Sequence, residues 1–293
     1  MPTKPLISVG QLIDDSWDTY RSRIVEYLTV SSWLLITAIL YVVALAFYPA
    51  ASKLQFGAGL SGLEVFGIYL YALTTFIIAP IITFWLLASL TRLASNHLSR
   101  KKVDHKTALR EGKEVFLSAL LTTVMVFLMM VLAAVIGFGP PALIVGIGEL
   151  VNVGALVVFG TVLLVLGTLV ALVLAVRWMG YYFFGPIETM IDGAKGKAAL
   201  EISRDLVKGR LWGVLARIIV PKLVFIIFGA FAMSIIAYLV SALIDASAGF
   251  NLDLQLRIAT MTQSVVPILI VIVLNPLVVI SDVLLFRSLK ASR

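Results

Sequence analysis

Six long apolar runs organise the chain: residues 28–48, 65–91, 115–136, 153–176, 223–243 and about 265–286. The first five carry no charge, and the last contains only Asp282. A helix rises about 1.5 Å per residue, so roughly 20 residues cross a hydrocarbon core of about 30 Å. Each run is long enough. None shows the two-residue alternation of a barrel strand, and in lipid the remaining way to satisfy every backbone polar group is a helix. The pattern therefore predicts an all-α, polytopic bundle of six transmembrane helices. Pro80 interrupts the second run, and Pro267 and Pro276 interrupt the last.

A second pattern precedes each odd-numbered run. Ser8 and Gln11 have the spacing of a capping box, followed at helical intervals by Ile13, Trp17, Tyr20 and Ile24. Asp104 is placed to cap a second such segment through Ala108, Leu109 and Val115, and 195–217 forms a third through Leu200, Ser203, Leu206, Val207 and Leu211. Aromatic residues beside Lys and Arg suit helices lying in the headgroup plane, so three amphipathic interfacial helices are expected. The first and third align: Ser16, Asp18, Arg21, Ser22, Arg23 and Ile24 match Ser203, Asp205, Lys208, Gly209, Arg210 and Leu211. Ala79-Pro80 before Arg92 is echoed by Asn275-Pro276 before Arg287. The reading is a single membrane domain over 1–293, with a threefold hairpin repeat of units at about 8–95, 104–186 and 195–290. A duplicated bundle and a transporter built from repeats both fit this pattern; the scarcity of polar midplane residues favours the bundle.

Composition supports the membrane reading. Of 293 residues, 61% are apolar and 13% charged, with a mean hydropathy of +1.06, against about 45–50% and 25% in a soluble domain. The 27 residues before the first run carry Asp14, Asp15, Asp18 and Glu26, unlike the short basic start of a signal peptide, so that run is expected to be retained. The net charge of +7 resolves by position. If the runs alternate direction, 21 of the 23 Lys and Arg and 12 of the 16 Asp and Glu fall on one side, leaving it near +9 and the other near −2. Basic residues mark cytoplasmic loops, which predicts a cytoplasmic (inner) membrane protein with both termini inside. Charges dispersed over separate membrane-apposed segments argue against nucleic acid. They favour anionic lipid headgroups on the cytoplasmic side, at Trp17, Arg100, Lys101, Lys102, Lys208, Arg210 and Trp212, with room for a membrane-protein partner.

Candidate chemistry is sparse. There is no Cys, and His97 and His105 fall in the basic stretch between the second and third runs, where they read as solvated loop residues. No cofactor, no metal and no enzymatic activity are expected. Asp192-Gly193-Ala194-Lys195-Gly196 resembles a fragment of the Asp-rich signature of CDP-alcohol phosphotransferases, but the further aspartates of that signature are absent, and a turn is the better account. Ionisable or polar residues near span interiors are functional candidates by default: Arg177, Glu188, Asn275 and Asp282 form a candidate polar cavity, with Arg287 or Arg92 as partners for Asp282. Gly160, Gly167 and Ala171 form a small-residue stripe that reads as helix packing. Gly137, Gly139, Pro140 and Pro141 read as a turn opening a 138–152 loop, with a re-entrant element as the alternative.

Lys197-Ala198-Ala199-Leu200, Ser203, Leu206-Val207-Lys208-Gly209-Arg210 and Trp212 resemble the conserved stretch of a prokaryotic multi-pass family, the membrane domain of glycerophosphoryl diester phosphodiesterase. Ile7-Ser8-Val9-Gly10 with Trp17, and Asn275-Pro276 through Leu285-Phe286-Arg287, are similar to the opening and close of that domain. The resemblance implies a membrane domain without its hydrolase, since the phosphodiesterase chemistry of fusion members resides in a separate soluble barrel. Taken together, the sequence points to a non-catalytic membrane scaffold or accessory protein at the inner leaflet, associated with lipid. A transporter or channel for a small or amphipathic solute is the alternative.

Overall fold

The computed structural model describes residues 6–50, 53–54, 59–101, 104–246 and 252–292. All elements among these residues are helical: α1 (Val9–Ser22), α2 (Ile24–Ser31), a 3₁₀ turn (Ser32–Leu34), α3 (Leu35–Ala46), α4 (Gly62–Leu73), a π-helical turn (Thr74–Ile78), α5 (Ala79–Leu98), α6 (His105–Leu150), α7 (Gly154–Tyr182), α8 (Gly185–Asp192), α9 (Gly196–Val207), α10 (Leu211–Ala246) and α11 (Leu252–Ala291). Six stretches are long and apolar enough to cross a membrane: Ile24–Ala46, Gly62–Leu98, His105–Leu150, Gly154–Asp192, Leu211–Ile244 and Gln255–Ala291. The chain is an all-α, multi-pass membrane protein.

It divides into two compact units. The amino-terminal unit combines Ile7–Glu114 with Ile218–Leu285, and the central unit combines Met1–Leu6, Val115–Arg217 and Phe286–Arg293.

In the amino-terminal unit, Ser8 caps α1 through the expected box: its hydroxyl accepts from Gln11 N–H, and the Gln11 amide oxygen accepts from Ser8 N–H. One face of α1 (Leu12, Ser16, Tyr20) is fully buried or nearly so, and the Ser16 hydroxyl donates to the Leu12 carbonyl. Arg23 breaks the helix before α2 begins. The largest buried side chains of this unit are Leu12, Tyr20, Tyr27, Leu86, Leu90, Leu93, Ile280 and Leu285. All lie on α1 or at the basic ends of spans, and most of the exposed large apolar side chains belong to the runs themselves. The π turn before Ala79-Pro80 has a local cause: proline lacks an N–H and its ring collides with the carbonyl four residues back, which a wider turn relieves.

In the central unit the expected turn at 137–141 does not form. Helix α6 continues through Pro140 and Pro141 to Leu150, and the chain reverses at 151–153, where Asn152 adopts a left-handed φ of 54°. Two prolines cost the helix two N–H donors and strain against the carbonyls of Ile136 and Gly137. Close packing compensates. A Cβ on Gly167 would stand in the place of the Gly137 carbonyl, one on Gly137 would collide with Ala171, and one on Gly160 would come within 2.9 Å of the Val145 backbone. The small-residue stripe thus lets α7 pack backbone to backbone against the second half of α6, and the hairpin needs no turn at the prolines. The third amphipathic segment is shorter than 195–217. It ends at Val207, because Gly209 takes φ 83° and starts α10 afresh at Leu211. The second is not separate, since α6 runs unbroken from His105.

Gly167→Leu should destabilise the protein by about 1–3 kcal/mol through overpacking, read as a fall of several degrees in the thermal unfolding of detergent-solubilised protein. Gly146→Leu, where a Cβ meets nothing within 4 Å, should leave the transition in place.

Candidate functional site

Helix geometry determines which charged groups can meet. In the amino-terminal unit, Asp282 is two turns below Asn275 on one face of α11, since seven residues complete almost two full turns. Its carboxylate lies 2.9 Å from the Lys222 ammonium on α10, with side-chain exposures of 14% and 22%. Lys222 stands 60 positions before Asp282, just ahead of the fifth apolar run, where local pattern gives no sign of the pairing. Asn275 is partly exposed and makes no side-chain hydrogen bond among the described residues.

His97 is not a solvated loop residue. It lies in the last turn of α5 with its side chain 4% exposed. Its Nε2 is 2.8 Å from Glu26, and its Nδ1 is 3.2 Å from the Tyr27 hydroxyl, with the two rings edge-on at 5.4 Å. Glu26 is shared, since Arg23 also reaches it at 3.0 Å. Residues 71 positions apart carry no signal of this contact in a single sequence; only the helical periodicity of α2 and α5 could have hinted at it. Beyond α5 the chain turns through Arg100 at φ 56°, closed by Lys101 N–H donating to the Asn96 carbonyl. Arg100 and Lys101 are exposed, and Lys102 lies outside the described residues. Asp104 accepts from Thr107 N–H at 2.9 Å, as its capping position predicts, and hydrogen bonds from the Thr107 side chain and backbone hold its carboxyl below the usual range. On α1, Trp17 is half exposed, its ring tilted against Tyr20 at 6.1 Å.

In the central unit, Pro186 sits in the first turn of α8, and the chain breaks at Phe183–Phe184, so Arg177 and Glu188 do not share one continuous helix. They go to separate places. Glu188 is buried and pairs with the Lys290 ammonium at 2.7 Å; the same ammonium reaches Asp192 at 2.7 Å and sits 4.7 Å above the Phe286 ring. Phe286 in turn stacks on Phe184 at 6.0 Å. The break is stapled by Ser203, fully buried on α9. Its hydroxyl donates to the Tyr181 carbonyl at 2.7 Å and accepts from Phe184 N–H at 3.1 Å. Thr122 on α6 meets Thr189 at 3.1 Å and accepts from Gly196 N–H at 3.2 Å. The Asp192–Gly196 stretch is a turn, with Gly193 and Gly196 at φ 80° and 52°.

Arg210 is only partly exposed. It donates to Ser292 at 2.6 Å and to the Leu206 carbonyl at 3.0 Å. Lys208 and Trp212 are exposed, Trp212 by 75%. Arg177 is exposed at the basic end of α7 and lies over the Tyr181 ring, its Cζ 5.7 Å from the centroid. It lines an open, largely apolar groove that includes Trp212. Among the described residues no three His, Cys, Asp or Glu side chains are grouped to hold a metal ion.

Comparisons with family models, curated proteins and solved structures gave no match.

Asp282→Ala should cost about 2–3 kcal/mol, because it strands the Lys222 ammonium in a largely enclosed site. The charge-free pair Lys222→Met with Asp282→Leu should recover most of that loss in a thermal double-mutant cycle. Equal losses from the single and the double change would show that the pair contributes nothing specific.

Proposed function

We propose that the chain is a non-catalytic scaffold or accessory protein of the cytoplasmic membrane, working at its inner leaflet with lipid or with a membrane-protein partner. The observation that carries this reading is how the ionisable groups near span ends are engaged. Asp282 is held by Lys222 and Glu188 by Lys290, so each carboxylate braces two helices within its own unit. Trp17, Arg100, Lys101, Lys208 and Trp212 are exposed, the mixture of aromatic and basic side chains that suits the headgroup layer. The resemblance of Ser203, Lys208-Gly209-Arg210 and Trp212 to the phosphodiesterase membrane domain points the same way, toward a membrane domain that supports chemistry done elsewhere.

A transporter or channel is the second reading. It is favoured by Asn275, a part-exposed amide within a span, aligned with Asp282 along α11.

Vesicles carrying the purified protein should hold gradients of potassium, inorganic phosphate and glycerol as well as protein-free vesicles do. Release more than about tenfold faster, abolished by Asn275→Ala, would establish the second reading instead. The chain contains no cysteine, so single cysteines report orientation cleanly: Lys53→Cys should react with an impermeant maleimide added to intact cells, and Lys101→Cys should not. The reverse pattern would place the termini outside.

A further inference from the structure

The groove beside Arg177 joins a basic side chain, two aromatic rings and apolar side chains. Its floor is Leu172, Val173 and Val176 on α7, and its rim carries Arg177, Tyr181 and Trp212. Residues 173, 177 and 181 recur every four positions, so they share one face of the helix. The notch exists because Gly180 admits the start of α10: a Cβ there would run into Leu211 and come 3.1 Å from Leu215. The start of α10 is set by Gly209 at φ 83°, a conformation that favours glycine. The volume is about 650 Å³, far more than a single ion requires.

Charge decides the occupant. Asp282 and Glu188 have found cations within the protein. Arg177 has no ion pair among the described residues; its contact is the face of Tyr181. It is the first charge after the uncharged run 153–176, which spans about 36 Å, so its guanidinium emerges at headgroup depth. No carboxylate lines the groove, so an ammonium-bearing headgroup gains no counter-ion there. A guanidinium matches a phosphate in a fixed, two-pronged geometry, and the apolar floor matches hydrocarbon. A ligand that satisfies both must join an anion to an acyl chain.

We propose that this groove is a binding site for an anionic glycerophospholipid, with its phosphate on Arg177, its glycerol region beside Trp212 and Tyr181, and one acyl chain along Leu172, Val173 and Val176. The proposal rests on the reading of the chain as a lipid-associated membrane protein and assigns that association a place and a charge preference.

The test is native mass spectrometry of the full-length protein released from mixed micelles holding equal phosphatidylglycerol and phosphatidylcholine. The unaltered protein should retain phosphatidylglycerol about fivefold more than phosphatidylcholine, the factor expected for one basic residue at headgroup depth. Arg177→Gln should bring the ratio to about one, and Arg177→Lys should keep part of the preference. Arg110→Gln, an exposed arginine of the other unit outside the headgroup set, should change nothing. Leu172→Trp fills the floor while keeping the guanidinium, and should lower retention of both lipids without unfolding the protein, which covers the case in which Arg177→Gln fails to fold. An unchanged ratio in Arg177→Gln would overturn the proposal, as would displacement of the lipid by millimolar glycerol 3-phosphate, which would mark a soluble-anion site. Loss of the preference in vesicles that remain flux-silent would sink this site alone; solute flux with the preference intact would sink the scaffold reading alone.

Discussion

Hydrocarbon does not solvate charge, and that constraint governs the ion pairs at the span ends of this protein. An ammonium or carboxylate left alone at a span end costs several kcal/mol or drags water with it. The protein meets the constraint locally. Lys222 neutralises Asp282 within one unit, Lys290 neutralises Glu188 and Asp192 within the other, and Glu26 takes both Arg23 and His97. Apart from Arg23–Glu26, three residues apart, each pair ties two segments distant in sequence, so the cost of keeping charge near the bilayer is converted into specificity of helix pairing. The largest buried side chains of the amino-terminal unit include Tyr20, Tyr27, Leu86, Leu90 and Leu93, on α1 or near the basic ends of spans.

The short helices that precede spans follow one plan in two places. In α1 the buried face is Leu12, Ser16 and Tyr20; in α9 the residues 187 positions later, Ala199, Ser203 and Val207, are buried as well. Each helix then breaks, at Arg23 or across Lys208–Arg210, before a long apolar helix begins. The internal match between these segments therefore has a structural counterpart: the same three steps of a helical face, followed by a break. The two serines diverge in use. Ser16 donates to its own helix, whereas Ser203 holds together the α7–α8 junction.

What was legible in the sequence was whatever depends on local pattern: the apolar runs, the Ser8 and Asp104 caps, the Gly160–Gly167–Ala171 stripe and the break at Pro186. What was not legible depends on long-range neighbours. The Gly137–Pro141 segment has strong turn chemistry, yet it stays helical because close backbone packing from α7 outweighs a local preference. His97 sits in a basic, loop-like stretch, yet it is enclosed because Glu26 and Tyr27 arrive from a helix 70 residues earlier. Glu188 pairs with Lys290 and Asp282 with Lys222, partners 102 and 60 positions away that local pattern does not announce.

The contacts made by Lys290 and Ser292 bear on the order in which this protein can be assembled. Lys290 meets Asp192 across 98 positions, and Ser292 meets Arg210 across 82. The intervening chain contains two apolar helices that belong mainly to the other unit. Helical hairpins can enter a membrane one after another, but the central unit closes only once α11 has been inserted and its far end has returned to α8. Until then Glu188 lacks Lys290, and Phe184 lacks the stacked ring of Phe286. A half-inserted chain would thus present an unneutralised carboxylate and an uncovered aromatic surface, the kind of feature by which membrane quality control tells an unfinished protein from a finished one.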